Sequence, residues 1–177
     1  MKIRKTLSLL CGVFFGVSTP FYTGDARDLI GDTKMMTAKD TELSPQKRKD
    51  LIQAAENALK NAYEPYSKFK VGAAVLTEKN NIYTGCNVEN ASYGLTICAE
   101  RNAIFSAVAH EGPAMRIKAM AISTLPAVAL GSSCGACRQV IAEFASENVP
   151  VIFPKDGHYV ERSIDALLPE RFVFKRD

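Results

Sequence analysis

The sequence predicts an α/β domain: one mixed β-sheet with helices on both faces, in the order αββαβαββ followed by a short tail. Three observations carry this. The chain has 177 residues, 47% apolar and 23% charged, a balance that suits one globular domain. Stretches with an apolar stripe at helical spacing alternate with short runs rich in small and β-branched residues. The later runs are separated by helices, and such strand-helix-strand crossovers make part of the sheet parallel.

The elements follow in order. Ser44 and Pro45 supply an N-cap hydroxyl and a proline at the first helical position, and Leu51, Ile52, Ala55, Ala58, Leu59, Ala62 and Tyr63 then mark one apolar stripe, so a helix runs to about Asn61. Beyond Pro65, residues 71–77 and 82–86 read as a hairpin joined by the polar turn Glu78, Lys79, Asn80, Asn81. A second helix fits residues 98–109 and stops at Gly112 and Pro113. A strand fits 117–123 and a third helix 134–146. Residues 151–153 and 159–161 flank an Asp156, Gly157 turn, and Ser163 caps a last helical turn before Pro169.

Residues 1–40 stand apart as a leader or extension, with the domain at 41–177. Residues 1–24 hold no acid, begin with Lys2, Arg4 and Lys5, and continue through an apolar run at 7–17 to the small residues Gly16 and Ser18, the layout of an export signal. The alternative is a start at Met35 or Met36. A lipid anchor on Cys11 fits less well, because Leu10 occupies a place where a small residue is wanted. No apolar run reaches the roughly 18 residues of a membrane span. The net charge of +3 is supplied by Lys2, Arg4 and Lys5, and residues 25–177 balance at 19 basic and 19 acidic side chains. Such a balance offers no track for nucleic acid.

Five cysteines, an odd number, point away from a disulfide framework. Cys98 opens the second helix; Cys134 and Cys137 open the third, three residues apart and on one face. Helix N-termini stabilise thiolates, and three of them make three corners of a zinc tetrahedron. Glu100, two residues past a ligand, is placed to handle protons at the open corner. Two other readings stand beside this one. A redox pair at Cys134 and Cys137 leaves Cys98 and Glu100 idle, and a closed structural site needs a fourth ligand from Cys86, His110 or His158.

The stretch C-N-V-E-N-A-S-Y-G-L-T-I-C-A-E-R from Cys86 to Arg101, with C-G-A-C-R-Q from Cys134 to Gln139, resembles the small homotetrameric cytidine deaminases. Tyr66, Ser67, Phe69, Val71, Gly72, Ala73 and Ala74 upstream and Leu167, Leu168, Pro169 and Phe172 at the tail extend the resemblance over residues 43–172. It implies the three-layer cytidine-deaminase-like fold. It also implies one zinc per subunit on Cys98, Cys134 and Cys137, and Glu100 as proton shuttle in hydrolytic deamination of cytidine and deoxycytidine for pyrimidine salvage. No organic cofactor is implied. By the same resemblance Asn87 and Glu89 meet the ribose, Phe69 the pyrimidine and the backbone at Ala99 the base, while Tyr93 and Phe172 reach a neighbouring subunit's site. The compartment it implies is the cytoplasm, against export if the leader is real.

Zinc on three thiolates carries net negative charge, which blunts its Lewis acidity. Arg101 and Arg138 directly follow Glu100 and Cys137, and are expected to drain charge from the sulfurs. Ser133 stands where the family commonly has proline, and is expected to cap the third helix instead. Asn102 replaces a frequent threonine. Other cytosine nucleosides, such as a nucleoside antibiotic, and a non-catalytic zinc module remain the alternative functions.

Overall fold

The computed structural model describes residues 43–126, 130–146 and 148–174. The expected leader at 1–40 lies outside them. Helix α1 spans Pro45–Ala58 and tightens into a 3₁₀ turn at Leu59–Asn61. Strands β1, Lys70–Thr77, and β2, Ile82–Cys86, form the hairpin; α2 spans Ala99–Glu111, β3 Ile117–Leu125, α3 Gly135–Phe144, β4 Pro150–Lys155, β5 His158–Ser163 and α4 Ile164–Leu167. The sheet order is β2-β1-β3-β4-β5. Among the described strands only β3 and β4 pair in parallel, with Met120 opposite Val151, because the α3 crossover returns the chain in the same direction.

The caps predicted at Ser44 and Ser163 are present. The Ser44 hydroxyl accepts from Lys47 N at 3.3 Å above Pro45, and the Ser163 hydroxyl accepts from Ala166 N at 3.2 Å. Boundaries differ from expectation by two residues at most. α2 runs on to Glu111 because Gly112, at φ 82°, is the residue that turns out of the helix. α3 stops at Phe144 because Ala145 turns extended to bridge Ile117.

Strand alternation sends β-residues into two apolar layers. Ala73, Val75, Met120, Ile122, Val151 and Phe153 pack with Ala103, Ile104 and Ala107 of α2 and Ile141 of α3. Ala74, Leu76, Ala119, Ala121 and Ile152 pack against Leu51 and Ala55 of α1 on the opposite face. The result is three layers, α1 on one side and α2 with α3 on the other. Close approach is set by glycine: a Cβ at Gly72 would lie 2.1 Å from the Ala55 carbonyl oxygen of α1.

One polar anchor ties the hairpin to α2. The Glu111 side chain, 4% exposed, accepts from Thr77 Oγ1 and Asn81 Nδ2, both at 2.8 Å, with Lys79 Nζ at 4.0 Å. The Asn81 amide foremost, then Thr77, Lys79 and Tyr83, hold this carboxyl below its ordinary value. A carboxyl depressed in the folded state stabilises above its unfolded value, and that stabilisation disappears as pH falls through the folded value. Thermal midpoints followed from neutral pH down through the carboxylate range should therefore fall less steeply in Glu111→Gln than in the wild type. Parallel acid limbs would remove Glu111 as a source of the slope.

Candidate active site

Two helix N-termini meet at one end of the sheet. Cys98 is the N-cap of α2 at φ −72°, ψ 154°, and Cys134 the N-cap of α3 at φ −71°, ψ 166°; Cys137 lies one turn into α3, fully buried. Neither cysteine cap uses its side chain on the helix amides, which leaves the sulfurs free for other partners. The three Sγ atoms lie within 4.8 Å of one another. Bonds of about 2.3 Å from zinc to sulfur place tetrahedral ligands about 3.8 Å apart. Three soft donors at this spacing fit zinc.

The electrostatics agree with a thiolate site. A hydrogen bond from the Cys137 thiol, foremost, and Arg101 beside it hold Cys98 down to about 5. Cys137 is pushed up, by that same bond to Cys98 and by burial. Arg101 Nη2 lies 3.6 Å from Cys98 Sγ and donates to the Thr96 carbonyl at 3.3 Å. Glu100 is 4% exposed, and burial raises its carboxyl above the usual range.

Cys98, Cys134 and Glu100 line one cleft of about 290 Å³ together with Phe69, Asn87 and Glu89. The Asn87 amide is largely buried: Oδ1 accepts from Val71 N at 2.8 Å and Nδ2 donates to the Phe69 carbonyl at 2.9 Å. Glu89 Oε2 accepts from Tyr66 N at 2.9 Å and Ser67 N at 3.2 Å. The Ser67 hydroxyl, foremost, and these amides lower the Glu89 carboxyl. Ala99 is fully buried at the start of α2. Tyr93, 76% exposed, rests beside Tyr66 with ring centroids 6.4 Å apart. Phe172, 72% exposed, lies elsewhere, with its carbonyl held by Gln139 Nε2 at 3.0 Å. It borders a larger hollow of about 360 Å³, beside Arg116 and Phe174, whose lining includes none of the cysteines and not Glu100. Neither Tyr93 nor Phe172 is among the residues that line the cleft of its own chain.

Two expectations change. Arg138 does not face the sulfurs: its guanidinium donates to the carbonyls of Ser133 at 2.9 Å and Leu167 at 2.8 Å and to Ser132 Oγ at 3.2 Å. The Leu167 carbonyl ends α4, where helix carbonyls have no partner within the helix, and the planar guanidinium fork reaches it and the loop before α3 together. Ser133 does not cap α3, since Cys134 occupies that place; its hydroxyl is buried, the residue 3% exposed, without a hydrogen-bond partner. A buried unsatisfied hydroxyl costs about 1 kcal/mol or more. Zinc-loaded Ser133→Ala should therefore melt about 3 °C higher than the wild type, read by thermal unfolding. An unchanged or lower midpoint would show that the hydroxyl is satisfied.

Several lining residues carry no signal in the sequence. Thr124 at the end of β3 and Leu130, Gly131 and Ser132 before α3 reach the cleft because the crossover passes over it. Asn102 proves to be a link: its Nδ2 donates to the Cys86 carbonyl at 2.9 Å, tying α2 to the residue before Asn87.

A thiolate triad beside a buried carboxyl, on a sheet layered between helices, is the equipment of the zinc-dependent deaminases. Residues 45–153 match the cytidine and deoxycytidylate deaminase zinc-binding region. The cytidine deaminase of Sporosarcina psychrophila is 46% identical over 123 residues, covering 69% of this chain and 88% of that protein. The cytidine deaminase of Halalkalibacterium halodurans is 41% identical over 127 residues, covering 71% and 94%. The crystal structure of cytidine deaminase from Burkholderia pseudomallei superposes with a TM-score of 0.63 at 43% identity, covering 70% and 98%. The chain belongs to the cytidine deaminase family.

Proposed function

We propose that residues 41–177 form an enzyme that hydrolyses cytidine and deoxycytidine to the uracil nucleosides and ammonia, in pyrimidine salvage. The observation that carries the reading is the buried Glu100 carboxyl in the same cleft as the thiolate triad. Cys98, Cys134 and Cys137 would hold zinc, which when bound supplies the Lewis acidity that activates water. Glu100 takes one proton from the attacking water and delivers it to N3 of the base, then takes the remaining proton of the added hydroxyl and passes it to the amine, so that the C4–N bond breaks, the C4 carbonyl forms and ammonia leaves. Burial raises its carboxyl above the usual range, which favours its holding a proton between the two transfers. Phe69 supplies an apolar wall for the pyrimidine, Asn87 and Glu89 meet the ribose, and the Ala99 backbone meets the base. Arg101 draws charge from Cys98, and Arg138 fixes the loop that presents Cys134. Tyr93 and Phe172, both exposed, are assigned to a neighbouring subunit's site in a homotetramer. The reaction belongs to the cytoplasm, or to an exported protein if residues 1–24 direct export. No helix among the described residues is long and apolar enough to cross a membrane.

The cleft favours a nucleoside over a nucleotide. Among the described residues its lining holds two carboxyl groups, Glu89 and Glu100, and no lysine or arginine, and Glu89 is ionised at neutral pH. A 5′-phosphate brought beside Glu89 is repelled and meets no lysine or arginine among the described lining residues. The test is ammonia release by the zinc-loaded full chain from cytidine, deoxycytidine and deoxycytidine 5′-monophosphate. Turnover of the nucleosides, with kcat/KM at least about tenfold lower for the monophosphate, is expected. Preference for the monophosphate would overturn the nucleoside reading, and inactivity on all three the deaminase reading.

A further inference from the structure

Ser67 takes no part in the chemistry described above, yet it sits between the two halves of the substrate cleft. The turn from Glu64 to Phe69 is closed by Lys68 N on the Glu64 carbonyl at 3.1 Å, with Lys68 itself in the left-handed region at φ 57°. A lysine there is held by its surroundings rather than by its own preference. Those surroundings are side chains of the cleft. Glu89 Oε2 accepts the amides of Tyr66 and Ser67, and the Ser67 hydroxyl accepts Phe69 N at 3.1 Å. Asn87 clamps the Phe69 carbonyl and Val71 N. Phe69 is thus gripped at its amide by Ser67 and at its carbonyl by Asn87.

We infer that Ser67 is a positioning residue: its hydroxyl accepts the Phe69 amide while its own amide binds Glu89, so the residue that meets the sugar and the residue that walls the base are set by one hydrogen-bonded clasp. This rests on the cytidine-deaminase reading. A hydroxyl that accepts from Phe69 N has its proton free to donate to Glu89, which agrees with the depressed Glu89 carboxyl. Ser67 lines the cleft, so a bound nucleoside covers these bonds and strengthens them by excluding water. The clasp belongs to binding, because none of its atoms is among the sulfurs or at Glu100.

The test compares the zinc-loaded wild-type chain with Ser67→Ala and Ser67→Thr, reading KM and kcat for cytidine and the hydrogen-exchange rate of the Phe69 amide without substrate. In Ser67→Ala, KM should rise and Phe69 exchange should quicken, each about 3- to 10-fold, as expected for one net hydrogen bond, with kcat within about twofold. Ser67→Thr, which keeps the hydroxyl, should restore both. A merely structural role would lower kcat and KM performance together without rescue by threonine. An active Ser67→Ala with unchanged KM, or with unchanged Phe69 exchange, overturns the clasp and leaves the deaminase reading standing. An inactive wild type overturns the deaminase reading and the clasp with it.

Discussion

Glu100→Gln is expected to lower kcat for cytidine by about 10²- to 10⁴-fold while zinc content and fold stay at wild-type levels. The substitution keeps the shape of a side chain that is 4% exposed, so no cavity opens beside Ala103 and Ile104. What it removes is the ability to take and return a proton. The carboxyl lies in the cleft with Cys98 and Cys134, and burial raises it above the ordinary glutamate range, which favours its protonated form. A glutamine can still hydrogen-bond to N3 or to the amine, so KM should move far less than kcat. Steady-state ammonia release, read with metal analysis of the same preparation, decides the matter. Retained turnover would take the proton shuttle away from Glu100. Loss of zinc along with turnover would instead make Glu100 a support of the thiolate cluster.

The parts of the molecule that were legible in the sequence are those fixed by local rules. Ser44 with Pro45, the Asn80 and Gly157 turns, and Ser163 each announce a boundary through the conformation they favour, and those boundaries are present. The metal cluster was legible for a related reason: Cys98 and Cys134 are N-caps, so their places follow from where α2 and α3 begin, and Cys137 follows from helical spacing. The destinations of Arg138 and Ser133 depend instead on which carbonyls and apolar groups arrive from elsewhere. Arg138 is adjacent to a ligand in sequence, but the Leu167 carbonyl comes to it from 29 residues away. Likewise the double duty of Asn87 and Glu89, gripping the turn before β1 as well as facing the cleft, is created by pairing β1 with β2. No spacing rule contains it. Thr124 and Leu130 reach the cleft through the parallel crossover, which a one-dimensional pattern cannot position.

Gly85→Ala is expected to disable the site by a single added methyl, although residue 85 is not among the residues that line the cleft. Gly85 lies in β2 opposite Ala73, under the first turns of α2. A Cβ there would stand 2.4 Å from Ala103 N, 2.6 Å from the Ala99 carbonyl oxygen and 2.9 Å from the Asn102 carbonyl carbon. All three are backbone atoms, so no rotamer can absorb the collision, and α2 must retreat from the sheet. Overpacking of this kind costs about 1–3 kcal/mol. The retreat also carries Cys98, Glu100 and Arg101 away from Cys134 and Cys137, and pulls Asn102 from the Cys86 carbonyl. Misplacing a reacting group by about 1 Å costs on the order of 10²-fold in rate. The expected outcome is a lower thermal midpoint, weakened zinc retention against a chelator, and a kcat/KM loss of about that size. Gly135→Ala separates sterics from glycine loss in general: nothing lies within 4 Å of its added methyl, and alanine favours the helix, so its thermal midpoint should not fall. A Gly85→Ala enzyme with wild-type midpoint and turnover would mean that α2 does not rest on β2 as closely as the fold requires, and that the position of Cys98 is set by the metal rather than by the sheet.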